Sequence, residues 1–343
     1  MNQFEITRHE LKSSPKNWLI TGAAGFIGSN LLETLLKLDQ KVVGMDNFST
    51  GHRRNLDEVK KIVTNQQWRK FKFIEGDICD KKACDEACKD IDYVLHHAAL
   101  GSVPLSIEDP VLANGINVNG FLNVLVASKN AKVKRFVYAA SSSTYGDDTN
   151  TSKIENKIGT PLSPYAVTKL VNELYANVFA RTYGFDSIGL RYFNIFGRRQ
   201  DPLGAYAAVI PKWITSLIKN DPVQINGDGE TTRDFCYIEN VIQANLLAAT
   251  TKNAEAVNEV YNIAVGESIS LNTLYSEIQH KIQRHIPNVN HQKPTYCDFR
   301  DGDIRHSLAD VSKARKLLGY TPIHRYDYGL EEAVRWYIEK SGK

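Results

Sequence analysis

Residues 18–38 read WLITGAAGFIGSNLLETLLKL, and this stretch decides the fold. Trp18-Leu19-Ile20-Thr21 is a short apolar run suited to a strand covered on both faces. Glycines at 22, 25 and 28 interrupt it, and Gly28 to Leu38 then carries apolar residues at helical spacing. Gly22 and Gly25 allow a tight turn and let a pyrophosphate approach the backbone. Gly28 lets the helix pack closely, and the positive helix N-terminus faces the phosphates.

The same alternation continues outward. Val42-Val43-Gly44-Met45, Phe71-Lys72-Phe73-Ile74, Tyr93-Val94-Leu95-His96, Phe136-Val137-Tyr138-Ala139 and Ser187-Ile188-Gly189-Leu190 are further strands separated by helical segments. Strands alternating with helices predict an α/β, doubly wound parallel-sheet (Rossmann) domain. Past about Arg191 the chain turns to loops rich in Gly, Pro, Asp and Arg. These predict a smaller C-terminal α/β substrate-binding domain over 194–343. The nucleotide-binding domain covers 1–193 and is completed by part of 233–266.

Asp46 ends the second strand, where a carboxylate accepts bonds from ribose hydroxyls and repels a 2′-phosphate. The expected cofactor is therefore NAD rather than its 2′-phosphorylated form. Asp77 and Ile78 follow the third strand and Ala98-Ala99 the fourth, at the C-terminal strand ends where such sheets bind ligands.

Composition excludes other classes. The 343 residues carry net charge +3, with 42% hydrophobic and 24% charged residues, and no Lys/Arg block suggests nucleic-acid binding. The residues before 18 mix both charges without an apolar core, and no later run is expected to be long and apolar enough to span a bilayer. Five cysteines without a CxxC pair read as reduced packing residues, although Cys84 and Cys88 share a helix face. A cytoplasmic location is expected, and no metal site emerges from nine scattered histidines.

Tyr165-Ala166-Val167-Thr168-Lys169 sets Tyr and Lys on one helix face, with Pro164 fitting the first turn. A free phenol titrates near 10; a nearby ammonium and a cationic nicotinamide would favour the phenolate. A ~3-unit drop corresponds to roughly 4 kcal/mol. Upstream, Ser141-Ser142-Ser143-Thr144-Tyr145-Gly146 closes a strand with hydroxyls able to bond the same substrate oxygen. The combination describes hydride chemistry at a carbinol: Tyr takes the proton, carbon gives hydride to NAD, and Ser steadies the oxygen.

With TGAAGFIG, DNFSTG, GDI, HHAA, NVNGFLNVL, SSSTYG, YAVTK and RYFNIFGRRQDP in order, the chain resembles the extended short-chain dehydrogenase/reductase family. The likeness covers about residues 16–338. NGDGETTRDFCYIENV and FRDGDIRHSLADVSKA are similar to UDP-N-acetylglucosamine 4-epimerases of bacterial O-antigen and Vi-antigen synthesis. The resemblance implies Tyr165 as base and acid, Lys169 as its activator and ribose ligand, and Ser141 as the hydroxyl nearest C4. It leaves Ser142 and Ser143 as alternatives or sugar contacts. The implied cofactor set is Gly22, Gly25, Phe26, Ile27, Asp46, Asn47, Phe48, Ser49, Thr50, Gly51, Asp77, Ile78, Ala98, Ala99, Tyr165, Lys169 and Tyr192. The implied UDP-sugar set adds Gly101, Asn194, Gln200, Ala208, Val209 and Asn226. Arg233 and Arg300 would hold the diphosphate and Asp303 the uridine ribose.

The family's size gate near the sugar C2 substituent falls on Ser307, a small residue that leaves volume for an acetamido group. Leu105 and His97 depart from the Arg and Gln expected in that subgroup, which leaves a UDP-uronic acid 4-epimerase as the alternative. A 4,6-dehydratase would carry an acidic pair where Ser142-Ser143 stand, and a non-catalytic NAD-binding protein would often lack Tyr165 or Lys169. The helices from about Asn114 to Asn130 and from Tyr165 to Tyr183 are expected to pair across a two-fold axis as a four-helix homodimer interface.

Overall fold

The structure is a computed structural model that describes residues 2–203, 207–287, 289, 293–299 and 305–342. Its centre is a seven-stranded sheet of β1 (Asn17–Thr21), β2 (Lys41–Asp46), β3 (Phe71–Glu75), β4 (Tyr93–His96), β5 (Arg135–Ser141), β6 (Ser187–Tyr192) and β7 (Glu259–Ile263). Their order is 3-2-1-4-5-6-7, and every neighbouring pair is parallel. The expected doubly wound sheet is present. β7, which the sequence reading did not assign, extends it beyond β6.

Period-two alternation divides the strand side chains between two cores. Trp18, Ile20 and Val137 join one cluster with Leu31, Leu35, Ala244 and Leu330. Leu19, Phe136 and Tyr138 join the other, with Val94, Phe121 and Phe179. Apolar residues at consecutive positions are therefore needed on these strands, because both faces are covered.

Helix Gln3–Ser13 opens on a capping box between Asn2 and Glu5. Buried Gln40 ties it to the sheet: its Nε2 donates to the Leu11 carbonyl at 2.8 Å, and its Oε1 accepts from Lys16 N at 2.9 Å. The stretch Pro110–Asn130 corrects one expectation, since it is long and apolar enough to pass for a membrane span by composition alone. It is in fact three pieces, Pro110–Asn114, a π-helical turn Gly115–Gly120, and Phe121–Asn130. Half of it is buried in the fold. Cys84, Cys88 and Cys236 are buried free thiols, whereas Cys79 and Cys297 are exposed.

Candidate active site

The sheet order reverses between β1 and β4, and the loops leaving these strands meet there. A Cβ on Gly22, whose φ is +73°, would lie 2.8 Å from the Ala98 nitrogen; one on Gly28 would lie 2.0 Å from the Gly22 carbonyl. Only glycines permit this approach of loop, helix and β4 exit. Helix Phe26–Lys37 starts from Gly25 with no side-chain cap, so its first N–H groups have no local carboxylate or hydroxyl acceptor.

Asp46 at the end of β2 braces the same region. One carboxylate oxygen accepts from Ala24 N and the other from Phe48 N, both at 2.8 Å. A Cβ on Gly51 would press on both oxygens at 2.9 Å. Asn47 reaches Asp77, donating from Nδ2 at 2.9 Å, while Ser49 N donates back to Asn47 Oδ1 at 3.0 Å. Burial pushes the Asp77 carboxyl up, but the Cys79 N–H and Asn47 outweigh it and hold it below its usual range. Ile78 packs in the core, with Gly120 close against it. These residues fit NAD: an uncapped helix start for the pyrophosphate, and a carboxylate whose partners are N–H donors and which keeps further lone pairs for ribose hydroxyls.

On the other side of the switch point, β5 ends in Ser141 and turns through Ser142–Tyr145. Ser141 Oγ accepts from Ser143 N at 3.1 Å and lies 2.8 Å from Ser143 Oγ. Its hydroxyl also faces that of Tyr165 and favours the phenolate. Tyr165 and Lys169 sit in the first turns of helix Pro164–Tyr183, which Ser163 caps through Ala166 N. Lys169 is buried, donates from Nζ to the Ala139 carbonyl at 2.9 Å, and lies 5.8 Å from the Tyr165 ring centroid. The structure thus brings together Ser141, Ser143, Tyr165 and Lys169. Ser142 shares their turn.

Their electrostatics give the chain's own share of the expected phenol shift. Burial raises Tyr165 above its ordinary value, opposed only by the Ser141 hydroxyl. Burial lowers Lys169 to about 8. Desolvation therefore wins within the chain itself, and the phenolate needs a further positive charge beyond Lys169.

The candidate substrate residues are more dispersed. Asn194, at φ +36°, donates from Nδ2 to the Asp234 carbonyl at 3.1 Å. Gln200 turns inward, donating to the Ile195 carbonyl at 3.1 Å. Ala208 is the uncapped start of helix Val209–Lys219. Asn226 pairs with Cys297 in a two-stranded ladder. Arg233 Nη1 donates to the carbonyls of Thr232 at 2.9 Å and Arg305 at 3.2 Å. Ser307 N donates to the Thr232 carbonyl at 3.3 Å, the carbonyl that Arg233 also bonds. Arg300 and Asp303 lie outside the described residues, and Gly101 follows β4 at the surface.

Several supporting residues had no local sequence pattern to reveal them. Asn117, on the π-turn, accepts from Leu100 N at 2.8 Å and donates to the Leu100 carbonyl and to Thr168 Oγ1, both at 3.1 Å. Thr168 Oγ1 donates to the Tyr165 carbonyl at 2.7 Å. Ser106 Oγ accepts from Tyr165 N at 3.0 Å. Beneath the cleft, His97 stacks on Tyr192, and both bond Asn245.

The family model for NAD dependent epimerases and dehydratases matches residues 18–264. A putative UDP-glucose 4-epimerase of Methanocaldococcus jannaschii is 35% identical over 93% of this chain and 97% of its own length. A UDP-N-acetylglucosamine 4-epimerase of Methanobrevibacter ruminantium, solved with UDP-N-acetylmuramic acid, superposes with TM-score 0.85 at 37% identity, covering 95% of this chain and 99% of that one. A UDP-glucuronic acid 4-epimerase mutant of Bacillus cereus, solved with a fluorinated UDP-sugar and NAD, gives TM-score 0.83 at 31% identity, covering 94% and 99%. With its glycine loop, Asp46 and hydroxyl–Tyr–Lys cluster assembled at one switch point, the chain belongs to the NAD dependent epimerase/dehydratase family.

Proposed function

We propose that this chain inverts C4 of UDP-hexoses, with UDP-N-acetylglucosamine and UDP-N-acetylgalactosamine as its preferred pair. The observation that carries the reading is Tyr165 over buried Lys169, whose Nζ bonds the Ala139 carbonyl of the strand that ends in Ser141, beside the sheet's switch point. Bound NAD supplies a reversible hydride acceptor and the positive charge that the buried phenol lacks. Tyr165 takes the C4 hydroxyl proton and returns it after the sugar has turned its other face. Ser141 donates to the same oxygen as it becomes a carbonyl, and Lys169, charged at neutral pH, stabilises the phenolate. Arg233, with Arg300, would hold the diphosphate while the 4-keto sugar rotates.

Support for the N-acetyl preference comes from small Ser307, held beside Arg233 through Thr232, and from the likeness to the M. ruminantium enzyme. Ser142-Ser143, in place of an acidic pair, argues against dehydration. A uronic substrate is the second reading, favoured by the likeness to the B. cereus enzyme. A single NMR time course with the four neutral UDP-hexoses and UDP-N-acetylglucosaminuronate tests the choice. Interconversion of the N-acetylated pair is expected to be fastest. Faster turnover of UDP-glucose or of the uronate would overturn the preference, and an active Tyr165→Phe would overturn the mechanism.

We also infer a homodimer. Val111, Val167, Leu174 and Val178 stand 81%, 48%, 58% and 52% exposed along two adjacent helical segments, an apolar face suited to a second copy. Light scattering of a Leu174→Glu/Val178→Glu variant should report a monomer; an unchanged mass would reject this interface.

A further inference from the structure

We propose that Ser106 is a positioning residue for Tyr165, holding the base's peptide N–H so that the phenol meets Ser141; this rests on the reading of Tyr165 as the base. The first helical position is Pro164, which has no N–H, and Ser163 Oγ takes the N–H of Ala166 at 3.2 Å. Tyr165 N–H lies between them, one of the donors that a helix start leaves without an intrahelical partner. Its acceptor comes from another helix, Val103–Glu108, through Ser106 Oγ at 3.0 Å. The Ser106 hydroxyl proton is directed to the Val103 carbonyl at 2.6 Å, which turns an oxygen lone pair toward Tyr165. Ser106 is fully buried, so solvent has no route to take its place.

The opposite end of the Tyr165 residue is held from the same segment. Its carbonyl accepts from Thr168 Oγ1, which accepts from Asn117, which brackets both peptide groups of Leu100. Leu100 and Ser106 flank Gly101, the candidate sugar contact after β4. The segment over the sugar's expected place therefore holds the base's N–H directly and reaches its carbonyl through Asn117 and Thr168. A small shift in that grip moves the phenol relative to Ser141 and Lys169, and misplacement of about 1 Å can cost about a hundredfold in rate.

The test compares Ser106→Ala, Ser106→Cys and Tyr165→Phe in the NAD-bound enzyme, with kcat, KM, the kcat pH profile and Tm measured for each. Ser106→Ala should lower kcat by about tenfold to a hundredfold while KM stays within a few fold. The acid limb of its pH profile should move upward, because a displaced phenolate loses Ser141 and Lys169. Ser106→Cys, of similar volume but a weaker acceptor, should fall between wild type and Ala. A lowered Tm with wild-type kcat and pH profile in Ser106→Ala would overturn the proposal. If Ser106→Ala does not fold, a wild-type kcat and profile in Ser106→Cys would do so. An active Tyr165→Phe would instead sink the assignment of the base.

Discussion

Acid should destabilise this protein through His97 in particular, and replacing it with Gln should remove a defined share of that loss. Asn245 Nδ2 donates to the Tyr192 hydroxyl at 2.9 Å and to the Val241 carbonyl at 2.8 Å, so its Oδ1 is the acceptor facing His97 Nε2 at 3.1 Å. The ring therefore carries its proton on Nε2, and Nδ1 is buried without a partner. A second proton there would enter a dry site, with charged Lys169 adding repulsion. Burial first, and that repulsion in part, lower the ring to about 3 against the Asn245 bond. Stability is then intact above the unfolded histidine value near 6.5 and falls as pH drops toward 3, because only the unfolded chain takes up the proton. Between pH 7 and 5 the loss is about 2 kcal/mol for this ring. With an unfolding entropy of roughly 2.1 cal/mol/K per residue over 343 residues, that is a Tm drop of about 3 °C. His96, buried and also lowered, adds to the wild-type loss in the same direction. Calorimetry at the two pH values should show His97→Gln losing about 3 °C less than wild type. Loss of stacking on Tyr192 is common to both pH values and cancels in that difference. Equal losses in the two proteins would refute the reasoning, since the ring would then accept its proton in the folded state.

Three other outcomes follow from the geometry. Arg191 makes a buried two-point pair with Glu173, at 2.9 and 2.7 Å, joining the Tyr165 helix to β6. Glu173→Ala should cost about 3–5 kcal/mol in denaturant unfolding, and a cost under 1 kcal/mol would show the guanidinium finding another partner. Gly28→Ala should strip NAD from the purified protein, because its Cβ would collide with the Gly22 carbonyl; retained NAD by absorbance would count against the tight loop. Activity should decline on the alkaline side near pH 8 as Lys169 loses its proton, and a kcat profile flat to about pH 10 would remove the charged amine from the mechanism.

Much of the fold was legible because its determinants are local. Trp18-Leu19-Ile20 must fill two cores on opposite faces, so the run is continuously apolar, and the glycines after it mark the one place where three backbones converge. The Tyr165–Lys169 spacing is likewise a local fact, since four residues make one helical turn. β7 was harder: Glu259-Val260-Tyr261-Asn262-Ile263 mixes a charge and an amide into a short strand. Its Asn262 is tolerated only because it donates to the carbonyls of Lys153 and Asp310 and accepts from the Tyr145 hydroxyl. Those partners lie 48 to 117 positions away.

The same reason hid the supports of the base. Ser106 lies 59 residues from Tyr165, and Asn117 lies 51 from Thr168. No periodicity links such pairs, and a buried Ser or Asn looks like any other polar residue until its partner is known. The chain's own share of the phenol shift was hidden for a related cause. Spacing shows that an ammonium is near, but the sign of the shift depends on how much water both groups have lost. At Tyr165 that loss outweighs the neighbour, so the base should be fully primed only when cofactor charge and the Ser106 grip act on it together.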